Sequence, residues 1–241
     1  MSKNKLDALE FFIAGVPPRV IYGMDVEDLA KLVNSSQRRK NEYTGRTLVE
    51  VCLIGLASYF EAFCKNQFAA IINICPQTLN NFTLRRDNAT IKLTHLIKIA
   101  GEIDYRLGAL LAEEYDFGSA RTINSLYFDL LGITPFSKDE EGQYSQFLND
   151  RNLLVHHGGV YTIKYHGQRF QKNPVPGLAH WDSLVIDKAD FRKWLAFLNG
   201  IVDKISVSSQ KALKDFIKAE RIRLKKVNTE ALEFMGWKYK E

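Results

Sequence analysis

The residues with the clearest chemical potential lie close together, in the sequence NDRNLLVHHGGVYT over residues 149–162. Arg151 supplies a permanent positive charge and a planar fork of N–H donors that suits the oxygens of a phosphate. His156 can donate or accept a proton near neutral pH, and Asn152 precedes it by one helical turn. This combination predicts a site for acid–base chemistry on a phosphate-containing substrate.

A helix over residues 138–157, stopped by Gly158-Gly159, is expected to position these side chains. At about 100° per residue it would place Arg151 at the centre of an apolar stripe, with Asn152 and His156 on its flank. An arginine in such a stripe is costly unless it has a partner or faces a polar cleft. The stripe is expected to be buried against a second copy of the chain, and its apolar members are Tyr144, Phe147, Leu148, Leu154 and Val155.

Glu61 is the candidate partner for Arg151. It is the only acidic residue between Glu50 and Asp87, in an apolar segment over residues 46–75 that predicts a central buried helix. A structural ion pair between Arg151 and Glu61, with His156 capping the helix end, would explain the same residues without any chemistry. The periodicity of the sequence leaves both interpretations open.

The stretch from Arg151 to His156 resembles the R-x(4)-H signature of HEPN domains (higher eukaryotes and prokaryotes nucleotide-binding). Two further segments are similar to parts of these domains, 59–63 to the early helix and 123–132 to the short helix before the motif. The resemblance covers roughly residues 46–205. It implies a helical bundle that pairs as a homodimer around one cleft and, where Arg and His are kept, a metal-independent endoribonuclease, often of toxin or defence systems.

RNA cleavage through the 2′-hydroxyl needs a proton acceptor, a proton donor and a cation for the charge that builds on phosphorus. His156 can serve as acid or base, Arg151 can bind and neutralise the phosphate, and Asn152 can orient the histidine or hold a phosphate oxygen. His157 is the reserve histidine, and Glu61 has a supporting role. The expected partners are RNA, a second copy and an antitoxin or defence protein, without a metal or other cofactor. The alternative is a non-catalytic HEPN-like module that binds RNA, a nucleotide or a protein.

The predicted fold is mainly α, an HEPN-like helical bundle with a small β-hairpin inserted after the motif helix, over residues 160–186. Its strands would cover 160–165 and 183–186. Further helices are predicted over 25–33, 91–102 and 120–131, and a long one from residue 187 or 188. Three segments follow: an N-terminal helical extension (1–45), the HEPN-like domain (46–206) and a basic C-terminal helical extension (207–241).

Composition narrows the classes of protein further. An apolar content of 46% is ordinary for a globular chain, and three cysteines without CxxC spacing favour buried thiols over a disulfide framework or zinc site. The apolar run at 11–16 is too short for a signal sequence or a membrane span, so a cytoplasmic protein is expected.

The sequence contains no GxxxxGK[ST], GxGxxG, HExxH or GxSxG motif. The net charge of +5 permits a polyanionic partner, and the basic tail from Lys211 is either a phosphate-binding surface or a solvated helix.

Overall fold

The protein is described by a computed structural model that covers residues 6–36, 42–86, 90–170 and 183–239, without the side chains of 42–47, 166 and 168–170. Over these residues the chain is predominantly helical, which confirms the mainly-α prediction. Ten α-helices lie in the described part: α1 Pro18–Ser35, α2 Glu42–Ile74, α3 Thr78–Arg85, α4 Leu93–Lys98, α5 Ile103–Glu113, α6 Ala120–Leu131, α7 Lys138–His157, α8 Ile163–Phe170, α9 Lys188–Ala219 and α10 Lys226–Phe234.

Helix α2 is the centre of the fold, as the apolar segment over 46–75 predicted. Leu53, Phe60 and Phe68 on this helix are fully buried, because α1, α5, α7 and α9 pack around it. Helix α5 approaches α2 closely at Gly108, where a Cβ atom would lie 2.1 Å from the carbonyl oxygen of Ala69. A side chain at Gly108 would therefore force the two helices apart.

The helices that carry the site begin and end at residues with clear capping chemistry. Helix α6 ends at Gly132, whose φ of 71° is left-handed, and α7 ends in the same way at Gly158, with φ 57°. Helix α7 begins behind Ser137, which forms a reciprocal capping box with Glu140. The predicted bounds of both helices are confirmed. The first helix begins earlier than predicted, at Pro18, since a proline at the first helical position lacks only an N–H that would be unpaired there.

The segment after α7 differs from the predicted hairpin. Residues 163–170 form helix α8, and the described residues show only an isolated antiparallel bridge between Val160 and Ser183. The side chain of Thr162 accepts a hydrogen bond from the backbone N–H of Tyr165 (3.1 Å), as a helix cap does. Tyr161, two residues before α8, stacks on Tyr165 with the ring centroids 5.4 Å apart. Most of the predicted loop, residues 171–182, lies outside the described residues.

One hydrophobic core includes buried residues from Ala8 near one end to Met235 near the other. Helix α9 runs without interruption through residues 206 and 207, where the predicted C-terminal extension begins. The functional division into three segments stays a prediction. None of the helices in the described part has the length and continuous apolar sequence that crossing a membrane would need.

Candidate functional site

Helix α7 places the predicted site at the border between core and solvent. Its buried face consists of Tyr144, Phe147, Asp150, Leu153 and Leu154. This face is rotated from the predicted one, so Arg151 lies at its edge rather than its centre. Tyr144 and Phe147 pack against Phe60 and Trp194 inside the chain, so they are not available to a second copy as predicted. Val155, with 45% of its surface exposed, is the member of the predicted stripe that faces solvent most openly.

Arg151 is held by two hydrogen bonds in a half-buried position. Its Nη2 donates to Oε1 of Glu61 on α2 (3.0 Å), and its Nη1 donates to Oδ1 of Asn152 (2.9 Å). The Arg151 and Glu61 side chains are 23% and 29% exposed. Within the described residues, the Nε–H and the second N–H of each terminal nitrogen of Arg151 have no hydrogen-bond acceptor. The guanidinium is thus fixed on one side and able to bind an anion on the other.

Glu61 lies in an environment that disfavours its charge. Burial raises the pKa of the Glu61 carboxyl, and the neighbouring carboxylate of Asp116 raises it further, although Arg151 acts in the opposite direction. Asp116 belongs to the turn between α5 and α6, where it accepts a hydrogen bond from the backbone N–H of Gly118 (2.8 Å). Asp116 could not be predicted as part of the site, because only the packing of that turn brings it close enough to act on Glu61 and Tyr144.

Tyr144 adds a buried hydroxyl to the same cluster. Burial raises the pKa of Tyr144 well above its ordinary value, and the charges of Glu61, Arg151 and Asp116 act on it as well. Its hydroxyl is inaccessible to solvent and has no hydrogen-bond partner among the described residues. A buried hydroxyl without a hydrogen-bond partner destabilises the folded state, so Tyr144 is an energetic cost close to the Arg151–Glu61 pair.

The two histidines lie in the last turn of α7, and both are exposed. Neither makes a hydrogen bond or an ion pair with Arg151, Asn152 or Glu61 in the described part of the chain. The structure therefore brings together Arg151, Asn152 and Glu61, whereas His156 and His157 lie exposed in the next turn of α7 without a bond to those three residues. An imidazole in this place can reach a substrate that enters from solvent.

A hydrogen bond from helix α8 also holds α7 in place. The hydroxyl of Tyr165 on α8 donates to Oδ1 of Asp150 at 2.5 Å, and Asp150 is almost completely buried. This bond joins α8 to the residue directly before Arg151. It therefore restrains the turn of α7 that carries the guanidinium, a restraint that the hairpin prediction had missed.

The chemistry available here is that of a cation, a partly exposed amide and two imidazoles. The described residues contain no cluster of three or more His, Cys, Asp or Glu side chains placed to hold a metal ion. No protein-family model, no curated protein and no solved structure matches this chain. The resemblance to HEPN domains accordingly stays a hypothesis that rests on the motif residues and their surroundings.

Proposed function

We propose that the protein is an HEPN-like endoribonuclease that cleaves RNA through its own 2′-hydroxyl, without a metal ion. The observation that supports this most directly is the state of Arg151. Its guanidinium is fixed by Glu61 and Asn152, keeps N–H donors for an incoming anion, and precedes the exposed His156 on the same helix end. A site of this kind can hold a phosphodiester and move protons beside it.

Each residue then has a specific role in the cleavage. Arg151 binds a non-bridging phosphate oxygen and offsets the negative charge that builds on phosphorus. His156 takes the proton of the 2′-hydroxyl or protonates the leaving 5′-oxygen, with His157 as the reserve for the complementary step. Asn152 keeps the guanidinium in place, and Glu61 anchors it to α2. The hydroxyl requirement restricts the substrate to RNA over DNA.

The chain would act as a homodimer in the cytoplasm, with two α7 ends framing one cleft. The exposed Val155 and the two exposed histidines at this end suit such an arrangement, because they lie where a second α7 would approach. An antitoxin or another defence-system protein would be the partner that controls the activity. Size-exclusion chromatography with light scattering at micromolar concentration tests the dimer, and a monomer alone would contradict it.

The second candidate function is a non-catalytic module that binds RNA, a nucleotide or a protein. The observation that favours it is the Arg151–Glu61 ion pair, which satisfies part of the guanidinium without any ligand. The absence of a bond that orients His156, within the described residues, points in the same direction. In this function Arg151 would anchor an anion, and neither histidine would matter for chemistry.

Cleavage of a labelled RNA in EDTA distinguishes the two functions. Under single-turnover conditions we expect His156→Ala to lower the rate about 10²- to 10⁴-fold and Arg151→Ala about 10²- to 10³-fold. His95→Ala, which removes a histidine on α4, is the matched control and should cleave like the wild type. Product ends carrying a 2′,3′-cyclic phosphate are expected.

Three results would contradict the nuclease. Cleavage that persists in both Arg151→Ala and His156→Ala would place the activity elsewhere. Cleavage that requires a divalent ion would exclude the proposed mechanism. RNA binding without cleavage by the wild type, lost in Arg151→Ala but kept in His156→Ala, would establish the non-catalytic module instead.

A further inference from the structure

A cluster of arginines lies where helix α3 packs against helix α6, apart from the residues of the Arg151 site. It consists of Arg85 and Arg86, at the end of α3, and the solvent-facing side of α6, which carries Arg121, Ser125 and Phe128. These five residues are called the arginine surface below. No part of the proposed cleavage chemistry uses them.

Arg86 is the fixed element of this surface. Its Nε donates to Oδ2 of Asp129 at 2.5 Å, and its Nη2 donates to Oγ of Ser125 at 2.7 Å. The same guanidinium lies over the rings of Phe82 and Tyr115, 5.6 and 5.5 Å from their centroids. Asp129 neutralises its charge, so Arg86 acts as a structural support that joins α3 to α6.

Arg85 and Phe128 form the accessible part. The Arg85 guanidinium lies 4.8 Å from the ring centroid of Phe128, and its Nη1 donates to the Phe128 carbonyl oxygen. Phe128 keeps 47% of its surface exposed. Arg85 has no carboxylate partner in the described part of the chain. An uncompensated cation beside an exposed aromatic ring suits a nucleobase and its phosphate.

Arg121 extends the same face by two helical turns. Residues 121, 125 and 128 follow one another at helical spacing, so Arg121 and Phe128 lie about 10.5 Å apart along the axis of α6. Arg121 is exposed and forms no ion pair or hydrogen bond within the described residues. Among the described residues, the acidic groups nearby are Asp129, which Arg86 neutralises, and Glu114, which acts on the pKa of Tyr115. Asp87, which follows Arg86 in the sequence, lies outside the described residues. Arg85 and Arg121 are therefore the cations of this surface that have no carboxylate partner in the described part of the chain.

The arginine surface and the Arg151 site share one turn of the chain. Tyr115 lies beneath the Arg86 guanidinium, and the next residue, Asp116, acts electrostatically on Glu61 and Tyr144. Two consecutive residues of one turn therefore interact with the arginine surface and with the Arg151 site. The turn between α5 and α6 is the boundary between the two.

We propose that the arginine surface binds single-stranded RNA, with Phe128 stacking on a base and Arg85 and Arg121 contacting phosphates. This proposal rests on the proposed function only in that the bound RNA would be supplied to the Arg151 site. Binding of RNA at the arginine surface does not depend on cleavage. The strand would run along α6 and pass the Asp116 turn to reach Arg151. Recognition by stacking and charge would tolerate many sequences.

Fluorescence anisotropy with a labelled 2′-O-methyl oligouridine tests this surface, because that strand cannot be cleaved through a 2′-hydroxyl. We expect Phe128→Ala to weaken binding about tenfold and Phe128→Tyr to bind like the wild type. The double variant Arg85→Ala/Arg121→Ala should reduce the slope of log affinity against log salt by about 1.4, since each lost phosphate contact contributes about 0.7 for single strands. The matched control is Lys211→Ala/Lys218→Ala, which removes the same charge from α9 and should stay near the wild type.

The proposal is overturned if the wild type does not bind the strand, if Phe128→Ala binds as the wild type does, or if the lysine pair weakens binding as much as the arginine pair. Cleavage of a dinucleotide too short to span both sites separates this result from the proposed function. Loss of dinucleotide cleavage in the Arg151 and His156 variants but not in the arginine-surface variants, together with weaker oligouridine binding by the arginine-surface variants, supports both. Binding at the arginine surface by a chain that cleaves nothing would refute the nuclease and keep this surface.

Discussion

Loss of Glu61 and loss of Arg151 from their ion pair should change the stability of the fold by different amounts. Burial raises the pKa of Glu61 even with Arg151 beside it, so the fold favours the neutral carboxyl more than the unfolded chain does. Glu61→Gln supplies a neutral group of the same shape and should leave the free energy of unfolding at pH 7 nearly unchanged. Arg151→Ala should lower the free energy of unfolding, because it leaves the Glu61 carboxylate near Asp116 without its cation.

The size of the effect follows from the exposure of the pair. With 23% and 29% of the side chains exposed, the pair lies between surface pairs, worth about 0.2–1 kcal/mol, and broken buried pairs, which cost about 3–5 kcal/mol. We therefore expect Arg151→Ala to lose about 1–2 kcal/mol and to lower Tm by roughly 3–6 °C for a chain of this size. Arg151→Ala/Glu61→Gln should regain about half of that loss, since the unpaired carboxylate is gone.

Thermal and urea denaturation followed by far-ultraviolet circular dichroism measure these differences. Arg121→Ala is the matched control, because Arg121 is an exposed arginine without a partner in the described residues, and it should change stability by less than about 0.5 kcal/mol. The reasoning is refuted if Glu61→Gln destabilises as much as Arg151→Ala. It is also refuted if the double variant is no more stable than Arg151→Ala.

Three further predictions concern single residues. The stability of the wild type relative to Glu61→Gln should fall as pH rises from the ordinary pKa of a glutamate through the raised pKa of Glu61. In this pH range the folded state still holds a proton that the unfolded state has lost. Equal pH profiles of the two proteins in urea titrations would contradict this. Gly108→Ala should lower the free energy of unfolding by more than about 3 kcal/mol, because its Cβ would collide with Ala69. Gly142→Ala, in open space on α7, should raise it by about 0.5–1 kcal/mol. Similar melting temperatures of the two variants would contradict this. Tyr144→Phe should be neutral or stabilising by up to about 1 kcal/mol, since it removes a buried hydroxyl without a partner, and a loss above 1 kcal/mol would show a bond there.

Local signals in the sequence predicted the helices that carry the site. The glycines that end α6 and α7 act within one or two turns, so their effect does not depend on the rest of the fold. Helix α4 ends at Lys98, before the predicted end at residue 102, and helix α5 over Ile103–Glu113 was not predicted. The hairpin was predicted wrongly over residues 163–165 because the short run of β-branched and aromatic residues from Val160 fits a strand as well as a capped helix.

The site itself was predictable in part. The isolated charge of Glu61 in an apolar helix predicted a cationic partner, and the contact with Arg151 confirms it. The rotation of the buried face of α7 was not predictable, because Asp150 is buried through its bond with Tyr165 on α8, a contact that periodicity cannot reveal. The contact between Arg85 and Phe128 was not predictable, since the two residues are far apart in sequence and meet only where α3 packs on α6.

The central claim is that Arg151 and His156 act together on one phosphodiester, and the single-turnover cleavage rate of the double variant Arg151→Ala/His156→Ala tests it most directly. Residues that serve the same transition state lose their effects jointly, so we expect the double variant to be no slower than the slower single variant, within about threefold. A single variant that cleaves at the wild-type rate, or a double variant whose loss equals the product of the two single losses, would contradict the shared site.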